Sequence, residues 1–274
     1  MSEDIKKIRK KIDSLDEEIL VLLNKRAQEA INISKEKQKS ENADNFYNPE
    51  REAKVIRRIQ ELNDGPLTNK NILKLYREIM SVCLSLEEPL RVSYLGPKGT
   101  YTQLATQNHF GKSVLSMPEA SVEEVFASVE KRDSHYGVVP VENSSQGIVS
   151  STLDMFMKSS LRISGEIEIL INHNILSNSK KLSDIEKIYA HPQSFAQCKE
   201  WLEKNVPNSK KISSTSNAEA ALIASSENNS AAIASEVAAE IYKLRVLSKN
   251  IEDNHNNSTR FLVIGDRDTE PSGN

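Results

Sequence analysis

The chain has 274 residues, 38% of them hydrophobic and 27% charged, with a net charge of −3. That length accommodates two domains, and the composition is that of a soluble globular protein. The charge excludes a nucleic-acid-binding surface spread over the molecule, and no apolar run approaches the ~18 residues of a membrane span. Met1 to Lys11 is charged, so no signal peptide is expected. Cys83 and Cys198 lie far apart with no metal-ligand spacing, and the five histidines are scattered. We expect reduced thiols in a cytoplasm, no metal and no cofactor.

The first segment, Met1 to about Glu88, has neither Gly nor Pro before Pro49. Ile5, Ile8, Ile12, Leu15, Ile19 and Leu22 follow the alternating 3-and-4 spacing of a packed helical seam. A helix over Asp4 to Lys39 would be on the order of 50 Å long. One small domain cannot bury such a seam, so the helix is expected to pair with its copy in a dimer, or in a larger oligomer. Asn48-Pro49 gives a second helix an N-cap and a proline at its first position. Its inward face carries Val55, Ile56, Ile59 and Leu62, with Glu52 on the same side. A third helix over Asn69 to Glu88 aligns Ile72, Tyr76, Ile79, Cys83 and Glu87.

Each helix thus places charge on its apolar face. Arg26 and Lys37 continue the line of the seam about three turns apart, and Arg9 lies on its flank. Buried charge is costly unless paired. One reading is a closed network of Arg26 and Lys37 with Glu52 and Glu87. Arg9 and Arg51 add positive charge beyond that network, which suits a pocket for a small dianion inside a helical bundle.

Past Pro89 the pattern changes to strands alternating with helices. A strand is predicted over Arg91 to Leu95, a turn over Gly96 to Thr100 and a helix over Tyr101 to Phe110. The glycine turn with Lys98 could cradle an anion, but the lone motif is weak and a plain strand-to-helix turn is the favoured reading. Val114 to Met117 reads as a strand, and Ser121-Val122-Glu123-Glu124 as a capping box. Tyr136 to Val141 is an apolar strand that stops at Glu142-Asn143-Ser144-Ser145, with a helix starting near Ile148. By itself that polar loop is either a helix cap or a ligand site at the carboxyl end of a strand. Leu161 to Ile171 reads as a strand crossing between two lobes. Strands follow at 187–190, 211–214 and 231–234, with helices starting at His191-Pro192, Ser216 and Glu236. His191 reads as a helix-capping residue ahead of a general acid or base. Val246 to Ile251 is expected to return to the first lobe, ahead of a polar loop and a strand over Thr259 to Ile264. Two lobes joined by crossing strands would make a cleft, with binding loops after Val141, at Pro192 and before Phe261.

The run Ile8-Arg9-Lys10-Lys11-Ile12-Asp13-Ser14-Leu15-Asp16, with Arg26, Lys37, Pro49-Glu50-Arg51-Glu52 and Leu86-Glu87, resembles the all-helical chorismate mutases. The resemblance implies an intertwined dimer of three-helix chains and no covalent intermediate. It implies that Arg9 reaches the partner's site while Arg26 and Lys37 hold the substrate carboxylates. Lys37 and Glu87 would address the ether oxygen, and Glu52 the ring hydroxyl; Arg51 is counted with them as substrate-binding. Asn48 and Cys83, also candidate substrate contacts, depart from the usual pattern, with Asn48 where an Asp is common and Cys83 where a small hydroxyl residue can occur.

Gly96-Pro97-Lys98-Gly99-Thr100-Tyr101, Pro140-Val141-Glu142-Asn143-Ser144, His191-Pro192-Gln193-Ser194-Phe195 and Asn257-Ser258-Thr259-Arg260-Phe261 together resemble prephenate dehydratases. That implies a two-lobed α/β fold like that of periplasmic binding proteins. Thr259 would assist departure of the ring hydroxyl. Thr100, Glu142, Asn143, Ser144, Gln193, Ser194, Arg260 and Phe261 would bind prephenate. The expected division is a mutase domain at 1–88 and a dehydratase domain at 91–265. Within the latter, one lobe would span about 91–168 plus 246–265 and the other about 169–245. A linker-like tail would follow at 266–274, where fused mutase–dehydratases usually continue into a phenylalanine-binding regulatory (ACT) domain, expected here to be lacking. Two rivals are the same fusion with one functional site, and a ligand-sensing regulator with a two-lobed effector domain. Residues 1–90 carry 17 basic against 17 acidic side chains, a balance that speaks against a DNA-binding module.

Overall fold

The computed structural model describes residues 3–37, 39 and 47–267. Among the described residues the chain divides into two compact units: residues up to Leu90 with Phe110–Leu115, and Arg91–His109 with residues 116–267. Most of the tail expected at 266–274 lies outside the described residues.

The first unit is helical. Helix α1 spans Glu3–Lys37, two residues short of the expected end, and Lys39 closes a turn onto the Glu36 carbonyl. Helices α2 (Pro49–Leu62) and α3 (Asn69–Ser85) follow. The Asn48 side chain accepts a 2.7 Å hydrogen bond from the Arg51 amide, so the predicted cap is formed. Replacing it with Ala should cost about 1 kcal/mol of stability in chemical denaturation, whereas Asp should keep the cap. Helix α3 ends three residues before the expected Glu88. Glu88 precedes Pro89, whose ring disfavours helical backbone at the residue before it. The amides of Glu87 and Glu88 still reach the Leu84 carbonyl, so Glu87 sits in a last irregular turn. Along α1 the seam is open in the single chain, from 43% exposure at Ile5 to 63% at Leu22. No helix among the described residues is long and apolar enough to cross a membrane.

The second unit holds two sheets. The first contains β1 (Arg91–Leu95), β2 (Leu115–Glu119), β3 (Tyr136–Asn143), β4 (Gly147–Ile148), β5 (Arg162–Leu170) and β11 (Ser258–Gly265). Its order is β2-β1-β3-β11-β5, with β4 as a short hairpin on β3. Helices α4 (Tyr101–Phe110), α5 (Val122–Glu130) and α6 (Ser150–Phe156) belong to this half of the sequence. The Ser121 box forms as predicted, Ser121 accepting from the Glu124 amide and Glu124 from the Ala120 amide. Val125, Phe126 and Val129 of α5 bury against Val139, Leu262 and Ile264.

The second sheet contains β6 (Asn174–Ser177), β7 (Lys187–Ala190), β8 (Lys210–Ser213), β9 (Ser230–Ala234) and β10 (Arg245–Ser248), in the order β10-β6-β9-β7-β8. It is flanked by α7 (Pro192–Gln197), α8 (Lys199–Asn205), α9 (Asn217–Ser226) and α10 (Glu236–Tyr242). Ala220, Ala221 and Ala224 of α9 meet Ala232 and Ala234 of β9, and side chains this small let helix and sheet pack closely.

Two expectations are corrected here. The extended stretch at Val246 does not return to the first lobe: β10 pairs antiparallel with β6, Val246 opposite Leu176. Lys243 takes a left-handed conformation that turns α10 back along its own sheet, and Val246 completes the core there. Nor does β5 cross between lobes; it is the edge of the first sheet along its whole length. Only residues 171–173 and 249–257 cross. The crossings bond to each other, Ile171 N–H to Asn257 O and Ile251 N–H to His173 O, both at 2.8 Å.

Candidate active sites

Between the two sheets lies a cleft of about 320 Å³. Each lobe and both crossings contribute to its lining. Thr100, Asn143, Gln193, Ser194, Thr259 and Phe261, all expected from sequence, line it. Thr259 and Phe261 alternate along β11 and share its inward face, and Asn143 stands opposite Thr259 on β3.

Asn143 is held in one orientation. Its Oδ1 accepts from the backbone amides of Ser145 (3.0 Å) and Gln146 (3.1 Å). Its Nδ2 must therefore face the other way, and it donates to Thr259 Oγ1 at 2.7 Å. A hydroxyl that accepts there keeps its own proton for another partner. Thr259 is buried and lines the cleft, so the arrangement aims a hydrogen-bond donor at whatever occupies it.

Three expected residues are not in the lining. Glu142 and Arg260 are cross-strand partners on the other face of the sheet. Arg260 Nη1 bonds Glu142 Oε2 at 2.8 Å, and its Nε bonds Glu166 Oε1 at 2.7 Å. The Arg260 hydrogen bond, followed by its charge, holds the Glu166 carboxyl below the usual range. Ser144 turns to the end of the returning crossing, donating to Asn257 Oδ1 at 3.1 Å and accepting from Ser258 N at 2.9 Å. His191 caps α7, its Nδ1 accepting from Gln193 N. The glycine turn leads from strand to helix as favoured, with Gly99 N donating to Gln103 Oε1 at 2.7 Å. Gly99 is required there because φ is +91° and a Cβ would press on Tyr242 and Ala238 of α10.

Sequence reasoning missed Tyr101, His173, Gln197, Asn217 and Asn257. Asn257 opens the run Asn257-Ser258-Thr259-Arg260-Phe261. The polar triplet Asn172-His173-Asn174, interrupting an apolar run, was a readable signal for His173. No Lys, Arg, Asp or Glu is among the lining residues. The cleft instead gathers the first turns of α4 and α9, whose amides at Tyr101, Thr102, Asn217 and Ala218 have no intrahelical acceptor. Helix first turns offer backbone N–H groups to anions.

In the helical unit, Lys37 and Glu87 come together, Lys37 Nζ lying 3.8 Å from Glu87 Oε2. Burial raises the Glu87 pKa, with Lys37 opposing. Glu52 is also raised, chiefly by burial, against a hydrogen bond from Tyr47 and the charge of Arg77. Arg77, on α3, was not expected from sequence. It falls one helical turn before the buried Ser81, on a line beside the apolar one. Cys83 is buried, Arg26 half-buried, and Arg9, Asn48 and Arg51 exposed.

A family model described as chorismate mutase type II matches residues 8–88, and one described as prephenate dehydratase matches residues 92–269. A bifunctional chorismate mutase/prephenate dehydratase from Stutzerimonas stutzeri is 48% identical over 99% of this chain and 76% of its own length. The chain belongs to the bifunctional chorismate mutase/prephenate dehydratase family. The Pseudomonas aeruginosa member is 46% identical over 99% of this chain and 75% of itself. Among solved structures, a prephenate dehydratase from Arthrobacter aurescens in complex with L-Phe superposes with a TM-score of 0.62 at 29% identity. That match covers 68% of this chain and 63% of that one. Within this family, the helical unit corresponds to the mutase and the two-sheet unit to the dehydratase.

Proposed function

We propose that this chain catalyses two consecutive reactions of phenylalanine biosynthesis. The helical domain, residues 1–88, rearranges chorismate to prephenate. The two-lobed domain, residues 91–265, converts prephenate to phenylpyruvate. The observation that carries the second step is the Asn143–Thr259 pair in a cleft of the matching family.

The rearrangement breaks an ether C–O bond and forms a C–C bond within one molecule. It needs no external acid or base, only a folded substrate and stabilisation of charge growing on the ether oxygen. Arg26 and Lys37 hold the carboxylates, Lys37 and Glu87 face the ether oxygen, and Arg9 comes from the partner. Arg51, Glu52, Asn48 and Cys83 complete the substrate-binding set.

In the second reaction the bond from the ring to its carboxylate breaks and carbon dioxide leaves. The electron pair moves into the ring, and the hydroxyl departs as water with one proton taken up from solvent. Thr259 donates a hydrogen bond to that departing oxygen. Asn143, Gln193, Ser194, Thr100 and Phe261 position the substrate, whose negative charge is met by the first turns of α4 and α9. Glu142, Ser144 and Arg260 take no direct part, given their positions outside the cleft.

The decisive experiment feeds chorismate to the purified chain and follows prephenate and phenylpyruvate. Both should accumulate in sequence. Prephenate alone would mean that only the mutase site works, and turnover of neither would overturn the assignment.

We further propose a cytoplasmic homodimer formed along α1. The exposed seam from Ile5 to Leu22 supports it. Sedimentation at micromolar concentration should give at least a dimer; a compact monomer would contradict it.

A further inference from the structure

His173 has no part in the chemistry above, yet it is 2% exposed at the floor of the cleft. It is the last residue of the first crossing. Its amide donates to Glu252 Oε2 on the returning crossing at 2.7 Å. Its ring lies between the lobes: Nδ1 is 3.1 Å from the Tyr101 hydroxyl, at the start of α4, and Nε2 is 2.8 Å from the side-chain amide of Gln197, at the end of α7. The Tyr101 and His173 rings meet edge-on at 5.9 Å.

Proton accounting fixes the direction of these bonds. Tyr101 has one hydroxyl proton, and the Asn172 carbonyl accepts it at 2.7 Å. The contact with His173 must therefore run from Nδ1–H to the tyrosine oxygen. Burial favours the neutral ring, against the charge of Glu252. A neutral ring protonated at Nδ1 leaves Nε2 bare. Gln197 Oε1 is the atom placed 2.8 Å from Nε2; the two ends of the amide are near-isosteric, so turning it by half a rotation puts its nitrogen there as the donor. The result is one directed chain, Gln197 to His173 to Tyr101 to Asn172 O, running from the second lobe to the first.

We propose that His173 is a positioning residue of the dehydratase, strapping Tyr101 to Gln197 so that the two walls of the cleft face prephenate at a fixed spacing. Tyr101 and Gln197 both line the cleft, and α7 between His191 and Gln197 carries Gln193 and Ser194. The strap therefore sets where substrate-binding groups of opposite lobes stand. Thr259 and Asn143 lie together on the first sheet, so the donor they form does not depend on the strap.

The proposal rests on the dehydratase reading, and its test separates the two. In the full chain, His173→Gln and His173→Ala should raise KM for prephenate about tenfold while lowering kcat less than about threefold. Tyr101→Phe and Gln197→Ala do not touch the same atom, so without the strap their effects on KM would multiply. With His173 present they should fall short of that product by about threefold or more, and in the His173→Ala background they should multiply. Multiplying effects in the wild-type background, or a loss confined to kcat, would overturn the proposal. Should His173→Ala fail to fold, the Tyr101 and Gln197 pair in the wild-type background still decides it. Wild-type-like phenylpyruvate formation by Thr259→Ala would instead overturn the dehydratase reading itself.

Discussion

Thr259→Ala should lower dehydratase kcat by about 10³-fold or more, while chorismate turnover stays within about threefold of wild type. The first number follows from what the hydroxyl does. The leaving oxygen gains charge as its bond to the ring breaks, and among the described residues no carboxylic acid, lysine or arginine lines the cleft to substitute. The second follows because the expected mutase groups belong to a different compact unit. Asn143→Asp is the sharper companion. An Asp oxygen in place of Nδ2 would accept from Thr259, turning the hydroxyl proton away from the cleft and adding a charge that repels the dianion. Its loss should approach that of Thr259→Ala, although the loop can still be held through the Ser145 and Gln146 amides. Thr259→Ser keeps the donor and should retain more activity than either. Near-normal phenylpyruvate formation by Asn143→Asp would refute the proton orientation. Lys37→Ala should do the converse, removing prephenate formation and sparing its dehydration.

Local signals were legible in the sequence. Asn48, Ser121 and Ser216 cap their helices because a short polar side chain before a helical run has one favourable use, the orphan amide three residues on. The seam of α1 was legible because a period along one helix needs no tertiary knowledge. What failed was sidedness. Strand β3 is central in its sheet and reads as one apolar run, so Glu142 and Asn143 could not be assigned to faces from pattern alone. The register shift between Arg260 and Phe261 compounds this. A quoted motif therefore delivered Thr259 to the cleft and Arg260 to an ion pair on the opposite face. The placement of β10 failed for a related reason. Its sheet is chosen by pairing with β6, which lies far back in the chain. His173 meets both Tyr101 and Gln197 because the first crossing brings it between α4 and α7, and no local period records that placement.

Mutase kcat/KM should fall as pH rises through the pKa of Glu87. The ether oxygen gains negative charge in the transition state, so a donor facing it helps and a carboxylate repels. Only the protonated acid can donate. The Glu87 side chain is 7% exposed and that of Lys37 30%. Glu87 Oε2 accepts no hydrogen bond, with Lys37 Nζ at 3.8 Å. Burial raises the pKa, Lys37 lowers it, and the net displacement is upward. The sign follows: below the raised pKa Glu87 is a neutral donor, and above it the charge opposes the reaction. A bound dianion would push the pKa higher still and extend the active range toward neutrality. Glu87→Gln presents a donor at every pH. It should remove most of the fall and match or exceed wild type on the alkaline side. Glu87→Ala, with no donor, should be slow and flat, isolating what Lys37 contributes alone. A wild-type profile that is flat from about pH 5 to 8, or a Gln variant with the wild-type slope, would assign the ether oxygen to Lys37 only.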